Sequence, residues 1–365
     1  MKKSALRYII QIFQGRRPAL RGADWYEILG FLELNRVAGA FYRRLCEQNL
    51  PVPQAVERRL RQICDQQSER NRLMGKWLAD LSELLEFDRV NHAFLKGSIL
   101  SHAGIGADGS AEPFYRAGER ISNDIDVLVE PKDIGRVSRI LGEMGFVQGY
   151  YDYRMNAVVR LERAEILKRR MNRGETAPFL LKLGHPSLPF VEVDVNFSLD
   201  YLPSGSGALL RSMLANTCIY PVKGAAGLRS LRPVDFLIHM ILHQYKEMLV
   251  YSMVIRNKDL ELYKLLDLYL FFKRGIVREE ELCSRLSQAD MNKPAYLVLR
   301  AVNDVFEDLE IGGLLDRLRP GDLSYLRLVV DPERKNKLYR WENGVLERLA
   351  LFDHSACLSE VKAPQ

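Results

Sequence analysis

Leu95-Lys96-Gly97-Ser98, followed downstream by Arg120-Ile121-Ser122-Asn123-Asp124-Ile125-Asp126-Val127-Leu128-Val129, is the stretch on which the reading of this chain turns. Side chains alternate between the two faces of a strand, so Asp124 and Asp126 point one way and Ile125 and Val127 point into a core. Two carboxylates side by side repel each other unless a cation sits between them. A Gly-Ser turn nearby offers backbone N–H groups and a hydroxyl to phosphate oxygens. Together these parts point to a nucleoside triphosphate and magnesium.

A third acidic position lies in Pro189-Phe190-Val191-Glu192-Val193-Asp194-Val195-Asn196-Phe197. The run alternates, with Val191, Val193, Val195 and Phe197 on one face and Glu192, Asp194 and Asn196 on the other. Beside Asp124 and Asp126 in a sheet, this strand would gather three or four carboxylates on one surface. Asp194 is favoured over Glu192 as the third acid because it sits deeper in the run, between valines. Magnesium takes oxygen ligands and keeps room for waters and phosphates, so carboxylates without His or Cys suit it.

In this order and strand context, Gly97-Ser98, the Asp124/Asp126 pair and the later acid resemble the signature of the DNA polymerase β-like nucleotidyltransferase superfamily. Leu95-Lys96-Gly97 before the turn and Arg120 ahead of the acids are most similar to a bacterial family of uncharacterised nucleotidyltransferases. Its members carry helical regions before and after the core, and the resemblance covers roughly residues 20–275. It implies an α+β fold: a mixed sheet with helices, flanked by N- and C-terminal helical regions. It further implies that Asp124, Asp126 and Asp194 are catalytic and hold Mg2+ or Mn2+, while Lys96, Gly97, Ser98 and Arg120 bind the nucleotide. The implied reaction moves an NMP, with AMP from ATP the expected donor, onto an acceptor hydroxyl with release of pyrophosphate. The acceptor is left open among a small molecule, a sugar, a peptide, a protein and RNA.

Two alternatives stand beside this reading. Arg120-x-Ser122-x-Asp124-x-Asp126 also resembles abortive-infection toxins that act on tRNA or protein. A catalytically inactive protein that binds a nucleotide or serves as an adaptor is the other. The chain departs from compact superfamily members in one respect. Between the Gly-Ser turn and the acids lie Gly104, Gly106, Gly109, Pro113 and Gly118, which reads as a long surface loop.

Bulk properties are those of a soluble globular protein. The 365 residues are 47% hydrophobic and 27% charged, and the net charge of +6 is too small to be a strong nucleic-acid signal. No apolar run approaches the ~20 residues that span a bilayer. Met1-Lys2-Lys3 and the short apolar stretch Tyr8–Phe13 read as the first helix of a cytoplasmic protein rather than a signal sequence. The five cysteines are scattered, with no pair at metal-ligand spacing, and read as free thiols in a reducing compartment.

Along the chain, residues 1–90 read as an N-terminal helical region, 91–231 as the nucleotidyltransferase core and 232–365 as a C-terminal helical region. Val56, Leu60 and Ile63, then Met74, Leu78, Leu81 and Leu85, recur at helical spacing. Arg58, Arg59, Arg61, Arg70 and Arg72 alternate with acids and read as a solvated face. His92–Leu95 and Ile121–Glu130 read as strands, and Pro131 opens a helix that ends near Gly145. Phe179–Leu183 and Phe190–Phe197 read as a hairpin around Gly184–Ser187. Lys168-Arg169-Arg170 is an exposed helix or a contact for a phosphate-bearing acceptor. Pro203–Gly207 reads as a loop, helices are expected from Pro233 and around Leu262–Leu270, and the chain beyond Arg274 reads as mostly helical.

Four further residues are candidates for the substrate cleft: Glu192, His243, Asp259 and Asp267. His239 and His243 lie one turn apart on an apolar helix, a setting more typical of interior histidines than of metal ligands. Asp267 sits among leucines, with Asp259 placed two turns earlier on the same side. A carboxylate there needs a partner or a function, and Lys258 and Lys264 are the available partners.

Overall fold

Ile125–Val129 is buried at every position, which requires cover on both faces and a neighbour on each side. The computed structural model describes residues 3–106, 112–199 and 207–361 and supplies both. Eight strands are numbered in chain order. They are β1 (His92–Phe94), β2 (Ile125–Val129), β3 (Val147–Asp152), β4 (Ala157–Arg160), β5 (Phe179–His185), β6 (Leu188–Asn196), β7 (Thr217–Val222) and β8 (Ala225–Leu231). They form one sheet in the order β4-β3-β5-β6-β2-β1-β8-β7. β2 pairs antiparallel with β1 and parallel with β6, with Asp126 opposite Asp194. The fold is α+β, with a mixed sheet and many helices.

The elements follow from local chemistry. Pro131 opens a short 3-10 turn that leads into the helix Ile134–Glu143, which buries Ile134, Val137, Ile140 and Leu141. Gly145 ends it at φ +90°, with the Phe146 N–H donating to the Leu141 carbonyl. The two apolar stripes between Val56 and Leu85 belong to one 34-residue helix, Gln54–Phe87, and all seven residues are buried. Arg163–Arg173 is a helix, as the charged run indicated.

Contacts group the chain into two units: Met1–Leu60 with Leu237–Gln365, and Arg61–Phe236. The core read as 91–231 thus lies in the second unit together with the latter half of the long helix. Trp77 of that helix meets Phe146 edge-on at 5.9 Å, and Asn71 Nδ2 donates to the Arg120 carbonyl at 2.9 Å.

The reading of a surface loop between the turn and the acids is corrected in its described part. Phe114 and Tyr115 are only 4% and 3% exposed. The Tyr115 N–H reaches the Leu100 carbonyl and the Gly104 N–H the Pro221 carbonyl, each at 2.9 Å. Two aromatic anchors outweigh the glycines around them. Gly109 lies outside the described residues, as do Pro203–Ser206 of the later loop. The hairpin β7–β8 was not anticipated, and Pro221 is tolerated because β7 is an edge strand.

Among its described residues the first unit is helical except for a second sheet of β9 (Leu328–Asp331), β10 (Lys337–Trp341) and β11 (Leu358–Glu360), in the order β11-β10-β9. The chain beyond Arg274 is mostly helical, as expected, and this small sheet is an addition that was not anticipated. Strands this short carry almost no period for sequence inspection to find. Val254, Val329, Tyr339 and Trp341 form a small core there.

Asp259 is corrected as well. It precedes the helix Leu262–Lys273 and is not on it, is 0% exposed, and is bonded to Arg348 Nη2 and His354 Nδ1 at 2.6 Å each. The Arg348 guanidinium lies 3.6 Å from the Trp341 ring centre. The carboxylate therefore fastens the C-terminal segment and lines no cleft. Removing one member of a buried ion pair strands the other, so Asp259→Ala should cost about 3–5 kcal/mol in denaturant unfolding. A loss below about 1 kcal/mol would contradict this role.

His243 pairs with Glu247 at 3.3 Å, and Glu247 with Lys264 at 2.6 Å. Burial raises the Glu247 carboxyl, but Lys264 and His243 outweigh it and hold the carboxyl well below the usual range. Asp267 is 4% exposed within the same unit.

Candidate active site

The parallel pairing of β2 and β6 puts Asp126 and Asp194 in register, and Asp124 lies two residues before Asp126 on the same face. Oxygens of all three carboxylates lie within 4.8 Å of one another. Asp126 is 3% exposed, and Asp124 and Asp194 are half-buried. Burial pushes the Asp126 carboxyl up to about 6; Lys96 counteracts this and Asp124 adds to it. Burial also raises Asp194 well above the usual range, reinforced by Asp124, Asp126, Glu192 and Glu175. Such a cluster lacks positive charge.

Part of the missing charge comes from Lys96, whose Nζ lies 2.7 Å from Asp126 Oδ1. Lys96 adopts φ 48° and ψ −124°, a conformation that side chains rarely take and that surrounding structure must enforce. Enforcement comes from both sides: the Leu95 N–H donates to the Asp126 carbonyl at 3.0 Å, and Gly97–Leu100 forms a buried helical turn. Asn196 Nδ2 donates to the same Asp126 oxygen at 3.4 Å.

Ser98 and Arg120 take inward positions. Ser98 is 2% exposed, its N–H donates to the Leu95 carbonyl, and its Oγ accepts the Asp126 N–H at 3.2 Å. The hydroxyl thereby ties the turn to the acidic strand. Arg120 is 6% exposed and packs with Ser122 over Gly97. A Cβ at Gly97 would overlap Ser122 Oγ and Arg120 Nη1, so any other residue there would have to push these side chains aside. Gly97→Ala should lower stability by about 1–3 kcal/mol through overpacking and disturb Lys96 beside it. An unchanged melting temperature would contradict that.

Several supporting residues escaped sequence reading. Arg70 donates to the Ser122 carbonyl at 3.2 Å, the Asn123 carbonyl at 3.3 Å and the Ser187 carbonyl at 3.4 Å. It clamps the approach to the acids onto the β5–β6 turn, although its sequence context is that of a solvated helix face. Ser122 Oγ donates to the Asp124 carbonyl at 2.9 Å. Glu175 adds negative charge near Asp126 and Asp194 and carries no sequence signal, because it belongs to no strand. Asn196 was visible as a member of the polar face of β6.

Of the residues singled out from sequence, Asp124, Asp126, Asp194 and Lys96 thus meet at one point, with Gly97, Ser98 and Arg120 packed behind them. Glu192 lies on the same face of β6. His243, Asp259 and Asp267 belong to the other unit and keep company there.

The mixed sheet thus brings together Asp126 of β2, Asp194 of β6 and Asp124 just before β2, with a Gly-Ser turn beside them. A family model described as "Uncharacterised nucleotidyltransferase" matches residues 21–307, and the chain belongs to that family. It is accordingly a transferase enzyme. No curated protein matches the chain. A solved structure similar to it is that of an antigenic nucleotidyltransferase-like protein from Paracoccidioides brasiliensis, at 14% identity. That match covers 64% of this chain and 96% of the other with a TM-score of 0.33. Among the described residues, no helix is long and apolar enough to cross a membrane.

Proposed function

We propose that the chain transfers an NMP, with AMP from ATP the expected donor, onto an acceptor hydroxyl, and that Asp124, Asp126 and Asp194 hold the divalent metal this needs. The observation that carries the reading is the register match of Asp126 with Asp194, which brings three carboxylates within 4.8 Å of one another. Oxygen donors without His or Cys fit Mg2+ or Mn2+, and Lys96 already stands where positive charge is wanted. Such an ion, when bound, neutralises the triphosphate and the charge that develops at the entering and leaving oxygens.

The chain's own groups divide the remaining work. Lys96, whose Nζ stands beside Asp126, would offer its ammonium to a phosphate oxygen. Asp194 orients the acceptor hydroxyl and takes up its proton as the hydroxyl oxygen attacks the α-phosphorus. Pyrophosphate leaves on the opposite side. Gly97, Ser98, Ser122 and Arg120 hold the turn rigid against β2, so the charged groups need little rearrangement during transfer.

The test is pyrophosphate release from each of the four ribonucleoside triphosphates, with magnesium or manganese, supplied with a cell extract as the source of acceptor. Release by wild type that is lost in Asp194→Asn supports the reading and names the donor. Equal release by both proteins overturns it.

A further inference from the structure

The face of β6 that carries the acids extends beyond them. Phe190, Glu192, Asp194 and Asn196 share it by alternation, which places Phe190 about 13 Å from Asp194 along the strand. Tyr151 of β3 stacks on Phe190, with ring centres 4.3 Å apart and planes 23° apart. Tyr153 stands edge-on to both, 5.1 Å from Tyr151 at 76° and 6.2 Å from Phe190 at 72°. The Tyr151 hydroxyl bonds to Asn156 Oδ1, which fixes the ring from its far end. Tyr153 is 78% exposed. Three aromatic rings thus form a corner at the surface, where a single exposed ring would need no explanation but a fixed group does.

The position of this corner is informative. The Gly97-Ser98 turn follows β1, on one side of the Asp126–Asp194 pair, while β5 and β3 lie on the other side. In-line displacement puts the entering and leaving oxygens on opposite sides of the phosphorus. With the pyrophosphate end toward the turn, the acceptor enters from the side of β5 and β3, where the aromatic corner stands.

Charge narrows the class of acceptor. Lys182 of β5 is the register partner of Phe190 and is exposed. The chain leaving the corner, from Arg154 through Arg173, carries seven Lys or Arg against two Glu. Flat rings beside Lys182, with Tyr153 open to solvent and a basic run following in the chain, match the stacking platforms that hold single-stranded nucleic acid.

We infer that Tyr151, Tyr153 and Phe190 seat a base of a single-stranded nucleic-acid acceptor by stacking, with Lys182 and the basic run meeting its phosphates. The inference rests on the proposed transfer at the acids. The experiment is fluorescence anisotropy of a fluorescein-labelled, mixed-sequence RNA 12-mer with the full chain at low and moderate salt. In parallel, Mn2+-dependent ATP binding by the wild-type chain is measured by calorimetry, which reports on the acid cluster alone.

Wild type should bind the RNA, more weakly as salt rises. Tyr153→Ala should weaken binding about 5- to 100-fold, as loss of one base–aromatic stack does, while Tyr153→Trp retains it. Lys182→Glu should weaken binding and flatten its salt dependence. Phe190→Ala is a second variant, read only if its melting temperature matches wild type; Tyr153, being exposed, carries the test without that risk. RNA binding unchanged in Tyr153→Ala places the strand elsewhere and overturns the inference. Absence of RNA binding in a wild-type protein that binds Mn2+ and ATP overturns the acceptor class and leaves the transfer chemistry standing. Absence of both overturns both.

Discussion

Asp126→Asn should reduce transfer of label from an α-labelled nucleoside triphosphate onto acceptors of a cell extract by 1,000-fold or more, and the variant should fold normally. The side chain keeps its shape, so packing around β2 is undisturbed. What changes is charge at the centre of the site. The carboxylate contacted by Lys96 Nζ at 2.7 Å, and opposite Asp194 in register, becomes a neutral amide. Electrostatic stabilisation is usually the largest single contribution to such catalysis, and preorganised charge at a transferring phosphoryl group is not replaced by water. The same change relieves repulsion in the metal-free protein, because burial and Asp124 both act against the Asp126 charge. Loss of activity joined to equal or higher melting temperature is therefore the expected pair. Loss of activity with collapse of the fold would reduce Asp126 to a structural residue, and retained activity would remove it from the chemistry altogether.

The second large effect is on the pH dependence of stability. Asp126 has its carboxyl pushed up to about 6 in the folded chain, from an ordinary 3.8. A raised folded-state pKa contributes stability that is fully present below the unfolded value and is lost as pH rises through the folded one. The metal-free wild type should therefore lose on the order of 2–3 kcal/mol between about pH 4 and pH 6.5 relative to Asp126→Asn. Added Mn2+ should reverse the trend, since a cation favours the ionised carboxylates and its stabilisation grows as protons leave. Urea unfolding of both proteins across this range, with and without Mn2+, checks the sign directly. Parallel pH curves for the two proteins would show that the Asp126 carboxyl is not strained by its neighbours.

The centre of the site was legible because its signals are local. Asp124 and Asp126 sit two apart in an apolar strand, and the run around Asp194 alternates without interruption. Only the pairing of β2 with β6 had to be supplied by the structure, and the alternation of both strands already limited which residues could meet. The two helical stripes of Gln54–Phe87, the helix after Pro131 and the β5–β6 hairpin were legible for the same reason, though not that the stripes form one helix.

What was not legible depends on partners far along the chain. Asp259 looked like a cleft carboxylate because Arg348 and His354, 89 and 95 residues away, leave no trace near it. Arg70 looked solvated because backbone carbonyls, its true partners, are invisible to composition. Ser98 shows a further limit: a Gly-Ser turn announces a hydroxyl, but not that the hydroxyl accepts a strand N–H. The strands β9 to β11 are brief, β7 contains Pro221 and β8 opens on Ala225-Ala226-Gly227, so neither period nor propensity marks them.

The measurement that bears most directly on the central claim is Mn2+ binding, followed by loss of the free-ion electron paramagnetic resonance signal. It is made with and without a non-hydrolysable ATP analogue, on wild type beside Asp126→Asn. It needs no acceptor and reads the acid cluster itself. Wild type is expected to take up Mn2+ more tightly with the analogue present, and Asp126→Asn to lose this uptake. Equal binding by the two proteins, or none by wild type at any nucleotide concentration, would contradict a metal-dependent transfer site at Asp124, Asp126 and Asp194.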